Sequence, residues 1–314
     1  MKQDMSNAKP PERSPRVIFL GMQANFSLPC LRALLQQNIE VCAVVVPAPQ
    51  VPGHETLSIR QRERPHLPRP VLPLLNASIV ELAWEHNLPV WEVYHLSDAG
   101  TISTLAAYEP DVICVACFTQ RVPPAILELP RFGCLNVHPS LLPANRGPLP
   151  LFWTFRQGDE QAGITIHLMD EGIDSGDILA QEPIEVPDGI SYPQLEMRCA
   201  LFGGELLART VWNLYSGLAR YVPQDETKSS YHPFPAADDF IVRASEWSAR
   251  HTYNFICGML PWGGPIKIHV GGECFQVREA ISYSRNAINI KTATGETDRT
   301  FWVQCKEGWV RVAK

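Results

Sequence analysis

Arg16–Gly21 (RVIFLG) is a six-residue, almost wholly apolar run, and it limits the fold more than any other stretch of the chain. A strand that alternates polar and apolar residues can face water on one side. A continuous apolar run has to be covered on both, as at the centre of a parallel sheet. Glu40–Val46, Pro89–Val93, Val112–Ala116 and Gly133–His138 read as further strands. Between them, Ser27–Gln37, Ala77–His86, Ser103–Tyr108 and a short segment opened by Pro123-Pro124 read as helices. Two later strands, Ile164–Met169 and Ile178–Glu185, precede a long helix with Ser191 as N-cap and Pro193 in its first turn, reaching about Tyr215. The alternation predicts an α/β fold, a Rossmann-like, mostly parallel sheet with helices on both faces. Ligands of such sheets bind at the carboxyl ends of the strands.

After the long helix the composition changes. Gly217–Asp239 is irregular and holds Pro223, Pro233 and Pro235, as a linker does. Ser245–Gly258 then reads as one amphipathic helix. Ile266–Val270, Cys274–Val277, Ala287–Lys291, Phe301–Cys305 and Trp309–Val312 are short β-like segments, which predict a small C-terminal β-barrel-like domain. The expected division is a disordered tail over 1–14, a catalytic domain over 15–216, a linker over 217–239 and the barrel-like domain over 240–314.

Composition removes several classes of function. A net charge of −6 over 314 residues gives no global case for DNA or RNA, although a local basic loop can still meet phosphate. No apolar run follows Met1, and none approaches the roughly 18 residues that a membrane helix needs. The nine cysteines are scattered apart from Cys114 and Cys117, whose side chains would point to opposite faces of a strand. They read as free thiols in a reducing cytoplasm, not as disulfides or a zinc site. The expected state is a cytoplasmic monomer without metal or membrane.

The chemistry concentrates in two stretches. Gly21–Phe26 has one glycine and not the Gly-x-Gly-x-x-Gly of a pyrophosphate loop, and no phosphate-cradling Gly-x-x-x-x-Gly-Lys occurs anywhere. By contrast, Asn136 and His138 stand two apart at the end of a strand-like run and so project to one face. Pro139 and Pro143 stiffen the loop beyond them. Asp174 lies downstream in Gly172-Ile173-Asp174-Ser175-Gly176-Asp177. An amide donor, a proton-carrying imidazole and a nearby anion are what a tetrahedral oxyanion intermediate of acyl transfer requires.

The run Gly133–Pro143, then Arg146-Gly147, then Met169–Asp177 resembles the folate-dependent formyltransferases, whose members formylate methionyl-tRNA, glycinamide ribonucleotide or amino sugars. The similarity spans most of residues 16–220. Pro261-Trp262-Gly263-Gly264 adds a weaker likeness to the C-terminal barrel of the tRNA-acting members. The resemblance implies 10-formyltetrahydrofolate as co-substrate and an amine as acceptor. It makes Asn136, His138 and Asp174 the catalytic residues. It makes Ser140, Leu141, Leu142 and Pro143 a folate-contacting loop, with Phe118 and Val122 as walls of the pterin pocket. Methionyl-initiator tRNA is the first expected acceptor, which would place the enzyme in one-carbon metabolism and protein biosynthesis. A nucleotide-linked amino sugar is the alternative, and a non-catalytic folate-binding protein the third reading.

The acceptor side carries mixed signals. Arg60, Arg62, Arg64 and Arg69 occupy a long loop between Pro47 and Pro73, and two readings stay open: a solvated surface loop, or phosphate contacts to tRNA. Arg146 is a further substrate-binding candidate. The bulky Pro148–Trp153 segment encourages a smaller acceptor, because tRNA-acting members carry small residues there. Ten Lys/Arg against eight Asp/Glu over residues 234–314 give the C-terminal domain little positive charge. Arg121 stands where the family has an apolar residue. His167 reads as a structural histidine on an alternating strand. Asp170, Glu171, Asp174 and Asp177 lack calcium-loop spacing, so turn-forming or solvated roles are expected for three of them.

Overall fold

β1 (Arg16–Gly21) is buried at five of its six positions, and it pairs in parallel with β2 (Glu40–Pro47) on one side and β5 (Val112–Ala116) on the other. These coordinates are a computed structural model describing residues 13–49, 58–65, 78–262, 266–270, 272–286 and 300–314. β3 (Ile59–Gln61), β4 (Val90–Val93), β6 (Cys134–His138), β7 (Gln161–Leu168) and β8 (Ile178–Glu185) complete a sheet of order β3-β4-β2-β1-β5-β6-β7-β8 among the described residues. β2–β4 and β5–β6 are parallel, whereas β3–β4 and β6–β7 are antiparallel. The expected mostly parallel α/β sheet is therefore what forms, with its direction reversed at β7.

Helices α1 (Ser27–Gln36), α2 (Ile79–Glu85), α3 (Ala99–Ala106) and α4 (Pro124–Leu127) fall between the strands. α2 starts two residues later than the Ala77 expected, because Ser78 caps it: the Ser78 side chain accepts from Glu81 N while Glu81 accepts from Ser78 N. α3 starts four residues earlier than expected, at Ala99, and its Gly100 and Thr101 hid it. The buried Thr101 hydroxyl donates to Ser58 O and His95 O. One apolar cluster holds Ile18, Leu20, Ile113, Val115 and Val122, with Phe118 half-buried against it. Of the cysteine pair, Cys114 is buried on β5 while Cys117 is exposed just past its end at φ 59°, and all nine cysteines are free thiols. Burial pushes the Cys134 thiol up to about 12.

The chain divides into two compact units, Met1–Pro143 with Ile164–Glu182 and Cys199–Ser229, and Ala144–Gly163 with Pro183–Arg198 and Ser230–Lys314. The second unit thus draws on chain upstream of the expected linker. The cause is aromatic packing. Phe152, on α5 (Pro150–Gln157), is fully buried, with ring centroids 5.0 Å from Phe240, 6.1 Å from Phe255 and 5.7 Å from Trp262. Tyr192, at the start of α6 (Tyr192–Tyr215), meets Trp262 at 5.2 Å. Trp262 is accordingly a packing residue. α7 (Ala249–Met259) begins after Ser248, whose side chain accepts from His251 N, and not at Ser245.

The remaining strands form two three-stranded sheets. One has the order β11-β10-β9 and joins β9 (Ile241–Arg243), β10 (Ile266–Val270) and β11 (Glu273–Val277). The other has the order β12-β14-β13 and joins β12 (Glu279–Ser284), β13 (Thr300–Gln304) and β14 (Trp309–Ala313). β9 and β12 were not anticipated. The expected strand Ala287–Lys291, the Gly263-Gly264 pair, most of the expected tail and Arg69 lie outside the described residues. No helix among the described residues is long and apolar enough to cross a membrane.

Candidate active site

Asn136 and His138 sit on β6 near its carboxyl end, two residues apart and therefore on one face. β6 pairs antiparallel with β7, and the register sets His167 opposite Asn136 and Thr165 opposite His138. Side chains directly opposite on an antiparallel pair share a face with Cβ atoms about 5 Å apart. Two polar residues of β7 are thereby delivered to the face that carries the amide and imidazole.

Asp174 comes from the loop between β7 and β8, at φ 53°. Its Oδ1 lies 3.6 Å from His138 Nδ1, 3.5 Å from His167 Nε2 and 3.4 Å from Asn136 Nδ2. Asn136 Nδ2 is also 3.2 Å from His167 Nε2. One carboxylate oxygen is thus shared by two imidazoles and an amide. His138 and His167 are 5% and 2% exposed at the side chain, and Asp174 14%, so water screens these interactions little.

The Asp174 loop is held from several directions. Asp170 Oδ1 accepts from Gly172 N at 3.0 Å and Ser175 Oγ at 2.8 Å, which makes Asp170 the turn-former. Gln224 Nε2 donates to Asp174 O at 2.8 Å and Gly176 O at 2.7 Å. A Cβ at Gly176 would run into the Leu168 carbonyl, so the loop closes on β7 only with glycine there. Arg121, the departure from the family pattern, donates to the Glu171 carbonyl and braces the same loop.

The loop after β6 is pinned as firmly. Thr165 Oγ1 donates to Ser140 O at 2.7 Å and accepts from Leu142 N at 3.3 Å. Gln181 Nε2 donates to Thr165 Oγ1 at 2.8 Å and Leu142 O at 2.9 Å. Ser140 and Leu142 are buried, while Leu141 and Pro143 are half-buried. Val122 is buried in the apolar cluster, and Phe118 packs half-buried at its edge.

The arginines fall elsewhere. Arg60 lies on edge strand β3, with Arg62 and Arg64 just beyond it. Glu92, on β4 and 3% exposed, receives Arg60 Nε at 2.7 Å and Arg62 at 3.0 Å, a structural partner that the sequence reading did not find. Arg64 donates to Trp84 O at 3.2 Å. Arg146 belongs to the second unit, where its N–H donates to Ser230 O and its carbonyl accepts from His232 N, both at 2.9 Å. His167, expected to be a structural histidine, lies beside Asn136 and Asp174. The signal was present: Thr165 and His167 form the polar side of an alternating strand, a pattern that matches Asn136 and His138 once the two strands are paired. Among the described residues no group of His, Cys, Asp and Glu side chains is arranged to hold a metal ion.

Residues 15–211 match the family described as formyl transferase. A methionyl-tRNA formyltransferase from Pelotomaculum thermopropionicum is 32% identical over 296 residues, covering 89% of this chain and 88% of the relative. One from Syntrophomonas wolfei is 33% identical over 300 residues, covering 95% and 89%. Among solved structures, an N-formyltransferase from Helicobacter canadensis, in complex with folinic acid and dTDP-3-aminofucose, aligns with a TM-score of 0.64 at 14% identity over 96% of this chain and 99% of that one. A phosphoribosylglycinamide formyltransferase from Bacillus halodurans aligns at 0.50 and 22% identity over 64% and 95%. At these identities the structural likenesses bear on the fold. With a family match over residues 15–211 and relatives above 30% identity over about nine-tenths of both chains, the chain belongs to the formyl transferase family.

Proposed function

We propose that this enzyme moves a formyl group from 10-formyltetrahydrofolate to the amine of methionyl-initiator tRNA, with Asn136, His138 and Asp174 as its catalytic residues. The observation that carries the reading is the convergence of that amide and imidazole on one oxygen of Asp174. The donor fits the residues beside them. A flat pterin needs apolar walls and fixed polar backbone, and the half-buried Phe118 and Leu141 and the pinned Ser140–Pro143 loop supply both.

The chain's own groups divide the work. As the amine nitrogen bonds to the formyl carbon, the carbonyl oxygen gains negative charge, and Asn136 Nδ2–H donates to it. His138, cationic and with its Nδ1 edge toward Asp174, is the second donor. Its 3.6 Å contact is longer than a hydrogen bond, and such contacts commonly tighten only when substrate is present. Asp174 stabilises the imidazolium and draws the proton from the attacking amine through water. That proton ends on N10 of tetrahydrofolate as the bond from formyl carbon to N10 breaks.

Methionyl-tRNA is supported by relatives of that name that match this chain over nine-tenths of its length. The bulky Pro148–Trp153 segment, which encouraged a smaller acceptor, now has a structural explanation, since Leu151 and Phe152 are core residues of the second unit. Arg60, Arg62 and Arg64 would add positive charge at the β3 edge, partly offset by Glu92. Nine free thiols fit a cytoplasmic enzyme.

The test is a parallel assay of purified protein with 10-formyltetrahydrofolate, charged initiator tRNA and nucleotide-linked amino sugars. Formyl-methionyl-tRNA is the expected product. Product on the sugar alone overturns the acceptor, and turnover with no amine overturns the catalytic reading altogether.

A further inference from the structure

His167 lies within hydrogen-bonding distance of Asn136, and its ring nitrogens face different kinds of partner. Nδ1 is 3.1 Å from the Leu168 carbonyl, which can only accept, so Nδ1 carries a hydrogen. In the neutral ring Nε2 is then an acceptor. It faces Asn136 Nδ2, which can only donate, at 3.2 Å. The hydrogen bond therefore runs from Asn136 to His167, and it selects one of the two orientations of the amide.

That selection matters because the two ends of a carboxamide do opposite things. With Nδ2 on the side of Asp174 and His167, the amide offers hydrogens toward the reacting oxygen. Flipped, it offers a lone pair and repels it. Nδ2 has two hydrogens. One is taken by His167, and the other faces Asp174 Oδ1 at 3.4 Å, the longer and weaker contact. That second contact can be exchanged for an oxyanion while the first keeps the amide in place.

We infer that His167 is a positioning residue for formyl transfer: its neutral ring holds the Asn136 amide donor-side toward the reacting oxygen. The inference rests on the assignment of Asn136 as oxyanion donor. The titratable groups facing His167 are Asp174, from the loop after β7, and His138, from β6, with ring centroids 6.4 Å apart. Protonation of Nε2 would present a hydrogen to the Asn136 donor and turn the ring to Asp174 Oδ1, 3.5 Å away, where it competes with His138. The proposed role therefore asks His167 Nε2 to accept from Asn136 while His138 faces the same carboxylate as a donor.

The experiment compares His167→Leu and His167→Gln, each alone and in an Asn136→Ala background. Loss of the acceptor in the leucine variant is expected to lower kcat about 10- to 100-fold, with KM for the folate changed less than about threefold. Glutamine, whose amide oxygen can accept from Asn136 as the ring nitrogen does, is expected to restore most of kcat. With Asn136 already alanine, neither variant should lower the residual rate further. Equal losses in both backgrounds, or a glutamine variant as slow as leucine, would overturn the inference. So would a leucine variant with unchanged kcat. If Asn136→Ala alone keeps normal turnover, it is the underlying catalytic assignment that fails.

Discussion

Replacing Thr165 by valine removes one hydroxyl from a fully buried side chain while nearly conserving its shape. That hydroxyl makes three hydrogen bonds, to Ser140 O, from Leu142 N and from Gln181 Nε2. In the valine variant the Leu142 N–H and the Ser140 carbonyl each lose a buried partner, at about 1–3 kcal/mol apiece. Gln181 keeps its bond to the Leu142 carbonyl at 2.9 Å, which favours the lower half of that range. The expected loss is about 2–4 kcal/mol. The Ser140–Pro143 loop is the proposed folate contact, so KM for the folate should rise about tenfold, with a smaller change in kcat. Thr165→Ser separates the causes, since it keeps the hydroxyl and forfeits one methyl, worth about 1 kcal/mol. Urea unfolding gives the stability. Because the chain has two units, hydrogen exchange of the peptide spanning 139–145 locates the loss in this loop. A valine variant within about 0.5 kcal/mol of wild type, with unchanged exchange, would refute the reasoning. So would a serine variant as weak as valine.

Glu92→Gln discharges the buried partner of Arg60 and Arg62. If those arginines meet phosphate, the dependence of tRNA KM on log salt should steepen by about one unit, and an unchanged slope removes the phosphate role. His251 is half-buried and stacked on Trp247, with ring centroids 3.9 Å apart, and burial pushes its pKa down from 6.5 to about 4. The unfolded chain therefore binds the extra proton first on acidification. Stability should fall between about pH 6.5 and 4, by at most about 3 kcal/mol, and His251→Phe should flatten that slope in urea titrations. Gly147 sits at φ 112°, where an added Cβ would strike the His232 carbonyl. Gly147→Ala should cost about 2–3 kcal/mol, and a wild-type urea midpoint would show that the loop does not need that conformation.

The parts of the fold legible in the sequence are those with enough residues to show a period or a run. β1, β5 and β6 are buried on both faces and read directly from their composition. β3 has three residues, Ile59–Gln61, too few for alternation to show, and it stays in the sheet through pairing with β4. β12, Glu279–Ser284, carries its apolar positions irregularly because its register with β14 shifts between Ala280 and Ser282. α5 was legible as bulky apolar sequence, but not as core of the second unit. Its partners Phe240, Phe255 and Trp262 lie about a hundred residues away, and no local pattern encodes that distance.

The site divides along the same line. Asn136 and His138 are coupled by a two-residue spacing on one strand, a local relation that any strand assignment exposes. Asp174 needed a motif, because a loop residue at φ 53° has no periodicity to betray where its side chain points. His167 needed the register of two strands. Shifting β7 by one residue against β6 would send His167 to the opposite face and bring an apolar neighbour to Asn136. Alternation alone leaves that choice open, because Thr165 and His167 satisfy it in either direction. What closes it is the backbone pairing of Asn136 with His167 and His138 with Thr165, which sets the proposed catalytic pair against a hydroxyl that holds the Ser140–Pro143 loop and an imidazole within reach of the amide. The sheet register is therefore part of the chemistry. A substitution that slips β7 should abolish turnover even with Asn136, His138 and Asp174 all intact.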